Sequence, residues 1–104
     1  MEETKKEELA IARRLRDGKY NLIDTNGKLL SEQWFEWIGC SFYYGFAIVE
    51  RDNGEYNLID TKGKLISDEW FRWVNFDEYY LAKVQRTNGE WAKIDKTGEI
   101  IVCK

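Results

Sequence analysis

A block of this chain is written twice, and it begins a third time. The 21 residues from Gly18 to Ile38 align with Gly54 to Val74, 36 residues on, and 14 of the 21 pairs are identical. A partial third copy starts at Gly89, 35 residues after Gly54, as Gly-Glu-Trp-Ala-Lys-Ile-Asp-Lys-Thr-Gly-Glu-Ile-Ile-Val. A fixed period of this length is the signature of a repeat architecture, in which each unit buries its apolar face on the next. The sequence therefore divides into units at 18–53, 54–88 and 89–104, preceded by residues 1–17.

Inside each unit the pattern is one of short alternating runs cut by turns. Tyr20–Asp24 is followed by Thr25-Asn26-Gly27 and then Lys28–Ser31, a hairpin signature, since Asn-Gly accepts positive φ. Tyr56–Asp60 with Thr61-Lys62-Gly63, and Trp91–Asp95 with Lys96-Thr97-Gly98, repeat it. A second turn, Asp52-Asn53-Gly54 or Thr87-Asn88-Gly89, follows the runs Phe46–Arg51 and Leu81–Arg86. Each unit thus reads as a meander of incoming, central and outgoing strands. Between units stands Trp-Phe-x-Trp, at Trp34–Trp37 and Trp70–Trp73. It reads either as a helical turn capped by Ser31 or Ser67, or as a short extended stretch. The favoured reading is a turn leading into a short extended stretch.

Residues 2–17 read differently. Glu2, Glu3, Glu7 and Glu8 come early and Arg13, Arg14 and Arg16 late, an order that suits a helix dipole. Leu9, Ile11, Ala12 and Leu15 fall on one helical arc, and Gly18 is a natural stop. The expectation is an N-terminal α-helix over residues 1–17 that caps the stack. The whole fold is expected to be mainly β: that helix, then about two and a half antiparallel β-meander repeats in an open stack. Too few units are present to close a propeller.

The copies supply their own substitution test. Ile23, Ile59 and Ile94 recur, whereas Leu22 and Leu58 become Lys93. Neighbours on a strand face opposite ways, so the Ile row is expected in the core and the Leu row toward solvent. By the same logic Ala47, Val49, Ala82 and Val84 point in, and Ile48 and Lys83 point out.

The unit Gly-aromatic-x-x-Ile-Asp-x-x-Gly-Lys/Glu, with aromatic-Gly-Phe-Ala-x-Val a strand later, resembles the WG-repeat family, also called KWG repeats. The resemblance runs from Gly18 to Val102 through Gly18–Lys28, Gly45–Val49 and Gly89–Glu99. Two features depart from the family: Asn21, Asn57 and Ala92 stand where it usually has Gly, and Pro is absent. What the resemblance implies is a β-rich repeat used for binding, found mostly in bacteria, with no catalytic residue set to carry over.

The remaining chemistry is sparse. The net charge is −3, which argues against non-specific nucleic-acid binding, although Arg13, Arg14 and Arg16 cluster. His is absent, which removes the commonest general base and metal ligand. Cys40 and Cys103 stand outside any metal spacing and read as free thiols. Asp24-Thr-Asn-Gly27 resembles the start of a calcium loop, but Lys62 replaces a ligand in the second copy and no glutamate closes the loop. Asp24, Asp60 and Asp95 read instead as caps on local backbone N–H groups. No cofactor and no metal is expected. The N-terminus lacks the apolar region of a signal peptide and no apolar run is long enough to span a bilayer, so the expected compartment is the cytoplasm.

Two readings of function follow. The first is a non-catalytic module for protein–protein interaction or self-assembly, with a homodimer built on the apolar end Ile100-Ile101-Val102. The alternative is a carbohydrate- or peptidoglycan-binding module acting through exposed aromatics; an enzyme is not expected. Trp37, Trp73, Tyr44 and Tyr80 are the candidate contact residues, with Trp34 and Trp70 more buried. The paired tryptophans either fill the seam between units or stack on a ligand. An exposed aromatic row favours sugar, and a seam-buried one favours structure.

Overall fold

The computed structural model describes residues 9–39 and 42–102, and Cys40 and Cys103 lie outside the described residues. Nine strands follow in chain order: β1 Ala10–Arg13, β2 Tyr20–Ile23, β3 Trp37–Ile38, β4 Phe46–Glu50, β5 Tyr56–Asp60, β6 Phe71–Phe76, β7 Ala82–Arg86, β8 Trp91–Ile94 and β9 Ile100–Val102. β1 and β2 form a two-stranded antiparallel sheet, and β3 to β9 form a seven-stranded sheet in which chain neighbours are sheet neighbours. Bridges from Tyr20 to Phe35 and from Ile23 to Leu29 tie β2 to the segment that follows it.

The expected N-terminal helix is not there. The described residues contain no helix, and Ala10–Arg13 is a strand paired in register with β2, Ala10 to Ile23 through Arg13 to Tyr20. Residues 1–8, the other half of that expectation, lie outside the described residues. The physical reason is visible in β2, whose backbone needs a partner on that side, and β1 supplies it. A short helix gains little without a deep apolar contact, and Leu15, placed on the supposed apolar stripe, is 90% exposed in a turn. Gly18 caps no helix. It sits at φ +73 in the β1–β2 loop, which Arg14 and Asp17 brace with an ion pair.

Five hairpin loops share one design. In the first, Gly27 N–H donates to Asp24 C=O and Asp24 N–H donates to Lys28 C=O, both at 3.0 Å. Three loop residues with a glycine at positive φ in the third place make a type I turn with a glycine bulge. The Asn, Lys or Thr before that glycine keeps negative φ, so the glycine carries the backbone requirement alone. Asp24 Oδ1 also accepts the N–H of Asn26 and of Lys28, each at 2.9 Å, and Asp60 and Asp95 repeat the arrangement.

The Trp-Phe-x-Trp segments are extended. Phe71 and Trp73 lie in β6, and Trp37 opens β3. The outgoing run after the second hairpin first lies along β5, where Ile66 N–H donates to Leu58 C=O. It breaks at a bend where Ser67 Oγ accepts the N–H of Glu69. It then re-forms at Phe71, which is paired with Tyr56 on one side and Arg86 on the other. One stretch of chain thus serves two successive layers, and the layers cannot slide independently.

Buried Asn21 and Asn57 stitch that bend. Each Nδ2 donates to the carbonyl of Ser31 or Ser67, and each Oδ1 accepts the N–H of the next residue. A buried amide must find partners, and the bend supplies them.

The core is double. One cluster contains Leu22, Phe35, Ile38, Ala47, Val49, Ile59 and Trp70; the other contains Leu58, Phe71, Leu81, Ala82, Val84, Ala92 and Ile94. Adjacent residues Leu58 and Ile59 point into different clusters. The expectation that the Leu row reaches solvent is therefore corrected, because Leu22 and Leu58 are both fully buried. Opposite faces were the right geometry, but the middle strands have a core on each side. Ile59 and Ile94 are fully buried, while Ile23 is half-buried.

Candidate functional site

Strand register assembles an aromatic row on the face that each layer turns toward the next. Trp37 pairs with Glu50, and Glu50 pairs with Tyr56. One repeat later Trp73 pairs with Gln85, and Gln85 pairs with Trp91. The two rows occupy equivalent positions. Each reads aromatic, polar, aromatic across three strands, because directly opposite residues of an antiparallel sheet share a face.

The first row opens into a groove of about 390 Å³ lined by Trp37, Ile48, Glu50, Tyr56, Trp73 and Val74. It thus brings together Trp37 and Trp73, two of the residues singled out in the sequence. They are 45% and 39% exposed. β6 carries a register shift between Phe71 and Trp73, which lets Phe71 enter the core while Trp73 turns outward. The Trp73 ring then meets Trp91 edge-on, with centroids 5.4 Å apart. Trp70 is buried and Trp34 half-buried, the latter beneath the Arg14 guanidinium 4.3 Å from its ring.

Tyr44 and Tyr80 meet in a second hollow, lined also by Tyr79, Leu81, Asp95 and Lys96. Tyr44 and Gly45 form a two-residue turn between Tyr43 and Phe46, with φ of +54 and +84. Such a turn needs positive φ at both central residues, and a tyrosine adopts that conformation at a cost of roughly 1–2 kcal/mol. The return is an exposed ring, over which the Lys96 ammonium sits 4.6 Å from the centroid. Lys93 takes the same position 5.0 Å from Tyr80. Trp37 with Trp73, and Tyr44 with Tyr80, therefore line two separate hollows.

The electrostatics of these surfaces are set by local hydrogen bonds. Partial desolvation pushes the Asp77 carboxyl up, but the N–H groups of Tyr80 and Tyr79 and the Lys93 ammonium outweigh it and hold it below the usual range. The Thr97 hydroxyl and the N–H of Glu99 hold Asp95 low as well. Asp95 therefore serves its own turn, and the second hollow gains no free acid from it. Among the described residues no group of three or more His, Cys, Asp or Glu is arranged to hold a metal ion. They include no helix long and apolar enough to cross a membrane.

Tyr56, Glu50 and Trp91 were not among the residues singled out from the sequence. The signal was present in the repeat itself, since Tyr20, Tyr56 and Trp91 occupy the same place in successive copies. Only strand register shows that this column lines up beside the tryptophans. Compared with protein-family models, with curated proteins and with solved structures, the chain finds no match.

Proposed function

We propose that this chain is a non-catalytic recognition module of the WG-repeat type that takes a carbohydrate on its aromatic row. The observation that supports this most directly is the exposure of Trp37 and Trp73 around a shared groove, with Tyr56 beside them. A tryptophan needed only to fill a seam gains most by full burial, as Phe35 and Phe71 do here. Trp37 and Trp73 instead offer ring surface to water. Glu50, in the middle of the row, adds a hydrogen-bond acceptor for a hydroxyl. The cytoplasmic placement expected from the sequence goes with this reading, as does the absence of any need for a cofactor, nucleic acid or membrane.

Titration with a panel of neutral oligosaccharides, read by tryptophan fluorescence, tests it. The expected result is saturable quenching by at least one glycan, weakened by Trp37→Ala and by Trp73→Ala in chains that still fold. No binding across the panel, and none by acidic oligosaccharides either, overturns the reading. The second reading, a protein partner or a second copy of the chain, draws on β9, which is the last strand of the sheet among the described residues and where Ile101 and Val102 are 40% and 37% exposed. Sedimentation at rising concentration separates it: association that Ile101→Lys abolishes favours self-assembly.

A further inference from the structure

The face of β6, β7 and β8 that carries Lys83 and Lys93 differs in charge from the equivalent face of β3, β4 and β5. In the preceding layer Ile48 is paired with Leu58, and that pair lies under the next layer. One repeat on, the pair is Lys83 opposite Lys93. Two like charges directly opposite on an antiparallel sheet repel and cost stability. Lys93 has partial compensation from Asp77, 3.9 Å away. Lys83 has no ion pair among the described residues; its ammonium lies 5.2 Å from the Trp91 ring. The neighbouring row on the same face is Trp73, Gln85 and Trp91, two residues along each strand and so roughly 7 Å away. Trp91 is 42% exposed.

We infer that this face binds an acidic saccharide, with Trp73 and Trp91 against its sugar rings and Lys83 and Lys93 pairing with its carboxylates. The inference rests on the carbohydrate reading above and adds the class of sugar. Surface solubility does not account for the lysines, since a single charge or a Lys–Glu pair would serve it without the repulsion. A nucleic acid fits poorly, because two lysines, one of them matched by Asp77, are a small footprint against a phosphate backbone on a chain of net charge −3. An extended peptide would add to the β9 edge through its backbone and would not need the ring-and-lysine face.

The test titrates the full chain with a galacturonic acid hexamer, with its methyl ester, which keeps the rings and removes the charge, and with hexaglutamate. The acid hexamer is expected to bind about tenfold tighter than the ester at low salt, the size of two partly exposed ion pairs. The preference should fade as salt rises and vanish in the Lys83→Gln, Lys93→Gln double variant, whose thermal unfolding checks that it folds. Equal binding of acid and ester, or an undiminished preference in the double variant, overturns the inference. So does hexaglutamate binding as tightly as the acid hexamer, which would reduce the face to a simple charge patch. If neutral glycans bind and the acid hexamer does not, this inference fails and the carbohydrate reading stands. If no sugar of either kind binds, both fail.

Discussion

The second and third layers use the same strands for opposite purposes. On β4 and β5, Ile48 and Leu58 face the next layer and are covered by it; on β7 and β8, Lys83 and Lys93 hold the same positions and face water. The other face of each pair is unchanged in character: Ala47, Val49 and Ile59 in one, Ala82, Val84 and Ile94 in the other, all fully buried. A repeat position thus takes its chemistry from its neighbour in the stack rather than from its place in the unit.

The largest effect should come from breaking that contrast inside the stack. Leu58→Ala removes most of a fully buried side chain and should destabilise by about 2–5 kcal/mol. Ile59→Ala should fall in the same range, since it empties the other cluster. Lys93→Ala, at the position equivalent to Leu58, should change stability by no more than about 0.5 kcal/mol. Urea melts of the three variants compare them directly. A Leu58→Ala cost as small as that of Lys93→Ala would mean that the two faces are not different environments.

Glycines in the hairpin loops sharpen the same comparison. Gly27 and Gly63 occupy equivalent turns with φ of +81 and +85. A Cβ on Gly27 would meet nothing within 4 Å, whereas one on Gly63 would come within 2.2 Å of the Leu30 carbonyl oxygen. The second turn therefore sits on the outgoing segment of the layer before it, and the first meets no such contact among the described residues. Gly27→Ala should cost about 1–2 kcal/mol, the penalty for the left-handed backbone alone. Gly63→Ala should cost clearly more, because backbone must move to admit the methyl group. Equal thermal shifts for the two would show that the layers are not in that contact.

The buried amides come next. Asn57→Ala strips the Ser67 and Glu69 carbonyls of a donor and should cost about 1–3 kcal/mol. The third copy already carries Ala92 at this place, fully buried among apolar neighbours. Ala92→Asn should therefore destabilise as well, by placing an amide where the partner bend is not available. Opposite signs for these two substitutions in chemical denaturation would undo the assignment of Asn to the bend.

Much of this was legible in the sequence, and the failures have a shared cause. The hairpins were legible because Asp-x-x-Gly places its own acceptor and its own positive-φ residue, so local chemistry decides the turn. Ala47, Val49, Ala82 and Val84 were legible as inward because the third copy marks the outward position with Lys83, but Ile48, read as outward by the same logic, packs against the second cluster. Leu22 and Leu58 were misread because Lys93 was taken to report the face of the whole column, when it reports only the third layer. The helix at residues 2–17 was misread because its charge order and apolar arc are local signals, and the open edge of β2 that claims Ala10–Arg13 is a tertiary one. The pairing of Trp37 with Trp73 was hidden for a similar reason: it depends on the register shift in β6.

The smallest effect concerns acid, and it tests whether the turns and loops hold independently of the two cores. Hydrogen bonding from Arg14 lowers Asp17 to about 2. Hydrogen bonds from Arg51 lower Glu55, and Asp95 is lowered first by the Thr97 hydroxyl and then by backbone N–H groups. Each of these carboxyls binds a proton less readily folded than unfolded, so the unfolded chain takes up more protons as pH falls. Stability should be fully present above the ordinary carboxyl range near pH 4 and decline as pH drops through the lowered folded values toward 2. The groups lie at the surface, so the decline should be shallow and salt should flatten it further. Asp17→Asn should remove part of the slope at the lowest pH, because its folded value is near 2. Asp95→Asn should act at the acid end as well, while Leu58→Ala should lower the whole curve without altering its shape. A melting temperature that rises between pH 4 and pH 2 would reverse the sign of all three hydrogen-bonded carboxyls and refute this reading of the loops.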